Sequence, residues 1–124
     1  MSLLLVILGA AVGAPLRYLT DRAVQARHDT AFPWGTFTVN IAGSLILGLL
    51  TGVLIAGAAP DSLGLLIGVG FCGALTTYST FSYETLRLVE SGSVFYAALN
   101  AVISVSAALG AAFTGVVLAQ AIWP

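Results

Sequence analysis

Apolar residues fall into four long runs, at residues 3–20, 35–59, 63–89 and 93–123, separated by short stretches that collect most of the charge and the turn-forming residues. At 1.5 Å per residue each run is long enough to cross a hydrocarbon core of about 30 Å, so the pattern predicts four transmembrane helices. Between the first two, Thr20 to Pro33 holds Asp21, Arg22, Arg27, His28 and Asp29 and reads as a wet loop; Trp34 then marks the interface where the chain re-enters the bilayer. Pro60 and Asp61 close a short turn, which makes runs two and three antiparallel neighbours, and Ser91-Gly92 ends run three. Gly9 and Gly13, and again Gly48 and Gly52, are four apart, a spacing that lets a neighbouring helix approach closely.

The third run departs from this plan. Gly70 to Phe81 reads Gly-Phe-Cys-Gly-Ala-Leu-Thr-Thr-Tyr-Ser-Thr-Phe, with glycines and hydroxyls where a lipid-facing helix carries leucine. In hydrocarbon an unpaired backbone group costs several kcal/mol, so such a segment survives only inside protein or along a polar passage. The sequence therefore predicts a broken third helix at a functional site. Asn40 is the second anomaly, two turns into an uncharged helix, and two readings stand for it: a bond to a neighbouring helix, or N–H groups aimed at a ligand. Thr36 lies one turn earlier on the same side. In the fourth run Asn100, Ser104 and Ala108 share a face.

Composition agrees with a membrane protein. The chain has 124 residues, 59% hydrophobic and 7% charged, with a mean hydropathy of +1.04, whereas soluble domains are about a quarter charged. It reads as one small domain of four spans. A net charge of −1 offers no basic surface to nucleic acid. The single cysteine, Cys72, excludes an intrachain disulfide, and His28 has no partners at metal-ligand spacing. A signal peptide over Leu3 to Val12 would need a cation ahead of it, and the first is Arg17; the run is kept as a mature helix. Arg17, Arg22, Arg27 and Arg87 all sort to the side of loops one and three, leaving the side of the termini without Lys or Arg. The positive-inside rule then places the arginine side in the cytoplasm.

No nucleophile with a base, paired acids or metal cluster appears, so the reading is not an enzyme. Glu84 is the one acid well placed at membrane depth, three residues before Arg87, with which it can pair. Arg17 either snorkels to the headgroups or faces a vestibule. Four short spans cannot enclose a solvated passage and still bury their glycine faces, so a partner copy is needed. Hydroxyls, amides and backbone N–H groups with little fixed charge suit a small anion that must shed water and still leave quickly. Tyr78 and Phe81, three apart, can add the positive rims of their rings.

At this point the sequence resembles the Fluc (CrcB) fluoride channels over its whole length. The likeness lies in Gly-x-x-x-Gly-x-x-x-Arg-Tyr at Gly9 to Tyr18, Gly-Thr-x-x-x-Asn-x-x-Gly at Gly35 to Gly43, and the thirteen residues Gly70 to Ser82. The resemblance implies an all-α integral membrane protein of the cell inner (plasma) membrane, built as an antiparallel dimer with two pores that passively release cytoplasmic fluoride. By the same resemblance Asn40, Tyr78, Ser79, Thr80, Phe81 and Ser104 line the fluoride path, and Arg17, Thr36 and Glu84 belong to the vestibule. It also implies that carbonyl oxygens of Gly73 and Thr76 hold a structural Na+ at the dimer interface. Tyr78 stands where the family has phenylalanine, and Asn100 and Ala108 where some members have tyrosine and a second serine. The arginine asymmetry favours one membrane orientation, so the second subunit is either the same chain or an oppositely oriented homologue. The alternative is a small multidrug-type proton-coupled exporter, but such exporters need an acid in the middle of the first helix, and none precedes Asp21.

Overall fold

The computed structural model describes residues 2–27 and 32–123, except the side chains of Ser2 and Ser79. The first helix is Ser2–Gln25, the second Trp34–Ile55 and the fourth Val94–Ile122. The third span is made of pieces: α-helix at Asp61–Leu63, a wider π-wound stretch at Gly64–Cys72, α-helix again at Gly73–Leu75, and a further helix at Tyr78–Glu90. All four spans are long and apolar enough to cross a membrane.

Two boundaries differ from the expectation. The first helix continues to Gln25 instead of stopping near Thr20. Charge marks where hydrocarbon ends, while Arg, Ala and Gln are good helix formers and carry the winding on into the headgroup layer. The second helix ends at Ile55 instead of Ala59, because Gly57 takes a φ of +70° and turns the chain. Apolarity alone could not distinguish the Ala-rich turn from helix.

The glycines set the packing. A Cβ on Gly9 would meet the backbone of Leu66, Gly70 and Phe71, and one on Gly13 would meet Phe71 and Ala74, so the first helix lies directly on the first part of the third span. Gly48, Gly52 and Gly115 do the same between the second and fourth helices, where Gly115 faces Leu45 and Leu49 backbone and Gly48 faces Ala112. The second helix is thus held between the fourth on one side and the first and third on the other. Val39, Cys72 and Ala119 are buried at these contacts, whereas Leu3, Ile55, Leu109 and Phe113 stand outward, as residues bathed in acyl chains should. Phe32, Trp34 and Phe37 form a tilted and edge-on ring cluster at the start of the second helix, at the depth where amphipathic rings anchor a span.

Candidate functional site

At the discontinuity, Thr76 has φ −81° and ψ 160° and Thr77 has φ −150° and ψ 122°, both extended. Two consecutive extended residues leave helix donors and acceptors without their usual partners, and the local sequence supplies replacements. Thr76 N and Thr76 Oγ1 both donate to the Cys72 carbonyl, at 2.9 and 2.8 Å. Thr77 caps the resumed helix, its Oγ1 accepting from Thr80 N at 3.1 Å. The last replacement comes from another helix. Asn40 Oδ1 accepts from Thr77 N at 2.7 Å while Asn40 Nδ2 donates to the Thr77 carbonyl at 3.0 Å.

With a new helix beginning at Tyr78, the four carbonyls from Gly73 to Thr76 lose their helical donors, and for two of them the redirection is visible in the hydrogen bonds. In an uninterrupted helix Thr77 N would serve Gly73 O, and Thr80 N would serve Thr76 O; here they serve Asn40 and the Thr77 hydroxyl. Apart from its chain neighbours and its own helix backbone, nothing lies within 4 Å of where a Gly73 Cβ would be, so no other element packs on that face of the residue.

A groove of about 340 Å³ runs past the discontinuity. Asn40, Gly73, Thr76, Thr77, Tyr78, Phe81 and Ser104 line it, with Gly43, Ser44 and Ala108. The rings of Tyr78 and Phe81 sit side by side, centroids 6.2 Å apart and tilted by 42°. Tyr78 is 81% exposed, so its ring projects from the chain. Ser104 does not follow Thr38, Thr51 and Thr114, whose hydroxyls all bond the carbonyl four residues back. It donates instead to the Asn100 side chain at 2.9 Å.

The sequence-predicted residues divide into groups. Asn40, Tyr78, Phe81 and Ser104 meet in the groove, as do Gly73 and Thr76. Glu84 lines a second cavity with Gln25, Pro33, Arg87, Leu88 and Ser91, which brings loop one and the end of the third span to one end of the molecule. That shared end is what the sorting of the arginines requires. Glu84 lies beside the hydroxyl of buried Thr36, with Arg87 and Asp21 acting at Coulombic range, and its Oε1 is buried without a hydrogen-bond partner. The anticipated close pairing with Arg87 thus gives way to a neighbour on the second helix. Thr36 and Asn40, one turn apart, therefore meet different partners, and of the two only Asn40 lines the groove. Arg17 is half-buried and lines neither of these two. Thr80 enters through its backbone N–H, and the side chain of Ser79, like His28 and Asp29, lies outside the described residues.

Three participants escaped the sequence reading: Thr77, Thr85 and Gln25. Thr77 carries a legible signal, an N-cap threonine opening a helix. Thr85, which accepts from Asn100 Nδ2 at 2.8 Å, and Gln25, whose Oε1 accepts from Gly35 N at 2.9 Å, act across 15 and 10 residues of sequence, and no local pattern announces them.

Comparison with known proteins places the chain among relatives. The family model described as CrcB-like protein, Camphor Resistance (CrcB), matches residues 4–116. The chain belongs to the Fluc (CrcB) family. It is 68% identical over 123 residues to a protein of Streptomyces avermitilis named Fluoride-specific ion channel FluC 1, with 99% of each chain covered. A protein of the same name from Frankia casuarinae is 62% identical over 128 residues, again covering 99% of each chain. At 46% identity over 122 residues, a Methanocaldococcus jannaschii protein named Fluoride-specific ion channel FluC covers 98% of this chain and 97% of its own. As a Fluc member the chain is a multi-pass membrane protein and not an enzyme; the exporter alternative finds no support among these relatives.

Proposed function

We propose that this chain is one subunit of a fluoride-selective channel that lets cytoplasmic fluoride leave passively through the plasma membrane. The observation that carries this reading is the groove, which gathers Asn40, Tyr78, Phe81 and Ser104 at the third-span discontinuity in a chain whose full-length relatives bear the name fluoride-specific ion channel. Fluoride holds its water tightly, so a conducting path must replace that water without binding so firmly that the ion stays. Hydroxyl and amide donors, with ring edges whose rims are positive, meet both demands, since none bears a full charge. Asn40 contributes first by holding the discontinuity in shape, and it also lines the groove. Glu84, Thr36 and Arg17 would form the vestibule.

The groove is open along one side and Tyr78 projects from it, as suits a half-site closed by a second subunit. In this reading the subunits pair antiparallel, each with its third span working as a broken helix, the second being the same chain or an oppositely oriented homologue. The carbonyls of Gly73 and Thr76, freed from helical donors, are hard oxygen ligands of the kind a sodium ion takes, and among the described residues no acidic, histidine or cysteine cluster competes for a metal. Bound there, Na+ would supply a fixed positive charge joining the two discontinuities at the seam.

Fluoride efflux from liposomes holding only this purified chain, with chloride as the control anion, tests the reading. Release of fluoride far ahead of chloride, without a proton gradient, is the expected result. Equal leakage of both anions would overturn it, as would no release either from this chain alone or from this chain paired with an oppositely oriented homologue.

A further inference from the structure

Behind the groove, Asn100 is only 1% exposed and forms the middle of a hydrogen-bond chain that begins at the groove wall. Ser104 Oγ donates to Asn100 Oδ1 at 2.9 Å; Asn100 Nδ2 donates to Thr85 Oγ1 at 2.8 Å; and Thr85 Oγ1 donates to the Phe81 carbonyl at 2.8 Å. The direction has a consequence for Ser104, which lines the groove. A hydroxyl has one proton, and this one is spent inward. Ser104 consequently shows the groove lone pairs, the wrong polarity for an anion.

Both ends of the Asn100 amide meet hydroxyls, which can donate or accept, so the same heavy-atom positions fit the amide turned over. In the reversed chain Asn100 Nδ2 donates to Ser104, Thr85 donates to Asn100 Oδ1, and the Ser104 proton is released to the groove. The reversed chain has one internal hydrogen bond fewer, and an anion at Ser104 restores the count. Resting on the fluoride-channel reading of the groove, we propose that Asn100 is a positioning residue for the anion path. Its buried side-chain amide turns over to switch Ser104 from an acceptor, when the groove is empty, to a donor when an anion is present. A ligand that bonds only one of two arrangements shifts the population toward it.

Thr85 lies outside the groove lining and gives the test. Thr85→Val leaves the drawn arrangement with a buried unpaired N–H and the reversed one with an unpaired carbonyl, the less unfavourable of the two. The variant therefore favours the reversed chain, and the fluoride concentration for half-maximal efflux from liposomes should fall about fivefold, the equivalent of one net hydrogen bond. Thr85→Ser, which keeps the hydroxyl, should restore the wild-type value, and in a Ser104→Ala background Thr85→Val should have no effect. No shift in Thr85→Val, the same shift in Thr85→Ser, or a shift that survives in Ser104→Ala overturns the proposal while leaving the channel reading intact. A wild type that releases no fluoride, alone or paired with an oppositely oriented homologue, overturns the channel reading and this switch with it. Should Thr85→Val fail to fold, the 15N-labelled side-chain amide of Asn100 decides. Fluoride should move its NMR signal in the wild type and not in Ser104→Ala, and an unmoved signal in a conducting wild type overturns the switch.

Discussion

Asn40 and Thr77 clasp each other in both directions, side-chain oxygen to backbone N–H at 2.7 Å and side-chain N–H to backbone carbonyl at 3.0 Å, across 37 residues of sequence. One amide on the second helix thus takes over the N–H of Thr77, which the break deprives of its helical acceptor, and adds a second donor to the carbonyl that opens the resumed helix. Of the two readings the sequence left open, the bond to a neighbouring span is the one observed, which makes Asn40 a structural element; its contact with an ion belongs to the proposed function.

Asn40→Leu removes both bonds at once and strands the part-buried Thr77 N–H, at a cost of about 1–3 kcal/mol, while the Thr77 carbonyl keeps its donor in the resumed helix. The expected outcome is a thermal unfolding midpoint in detergent clearly below wild type, with fluoride efflux lost. A variant as stable as wild type would show that the discontinuity holds without Asn40. Asn40→Asp keeps an acceptor for Thr77 N, loses the donor to Thr77 O and adds negative charge beside the groove, so efflux should fall with less loss of stability.

Phe81→Ile replaces a ring beside Tyr78 with a branched aliphatic side chain and leaves the backbone alone. If the ring rim meets the ion, its loss raises the conduction barrier by about 1 kcal/mol or more, roughly fivefold or more in efflux rate. Unchanged efflux from a correctly assembled variant would take Phe81 out of the anion path.

Gly115→Ala tests the packing of the second and fourth helices. The added Cβ would lie 2.6 Å from Leu49 N and 2.9 Å from Gly48 C, both backbone atoms that cannot rotate away. A destabilisation of about 1–3 kcal/mol is expected, visible as a lower unfolding midpoint in detergent. Gly110→Ala, with nothing within 4 Å, is the control and should not be destabilised.

Sodium dependence tests the bared carbonyls. Replacing Na+ with a large organic cation on both sides of the liposome membrane should depress fluoride efflux, and returning Na+ should restore it. Efflux indifferent to this exchange would separate the Gly73 and Thr76 carbonyls from any structural metal.

Membrane orientation is testable without a transport assay. With all four arginines sorted to one side, cysteine labelling at the termini in cells should come from the outer face alone. Equal labelling from both faces would remove the case for a single orientation and for a distinct partner.

Four membrane spans, the anomaly at Gly70 to Phe81 and the sorting of arginines were determined by the sequence alone, because each depends on local composition. A run of apolar residues partitions into hydrocarbon wherever its neighbours lie, and hydroxyls within such a run are unusual whatever they bond. Only the tertiary structure decided which groups those hydroxyls and amides serve. Thr36 and Asn40 lie one turn apart and look equivalent in the sequence, yet one meets Glu84 and the other Thr77. Ser104 looks like any membrane serine until Asn100 takes its proton. Hydrogen-bond partnership depends on distance and angle across helices, set by glycine contacts such as Gly13 on Phe71 and Gly115 on Leu49, and those close approaches join residues far apart in the chain.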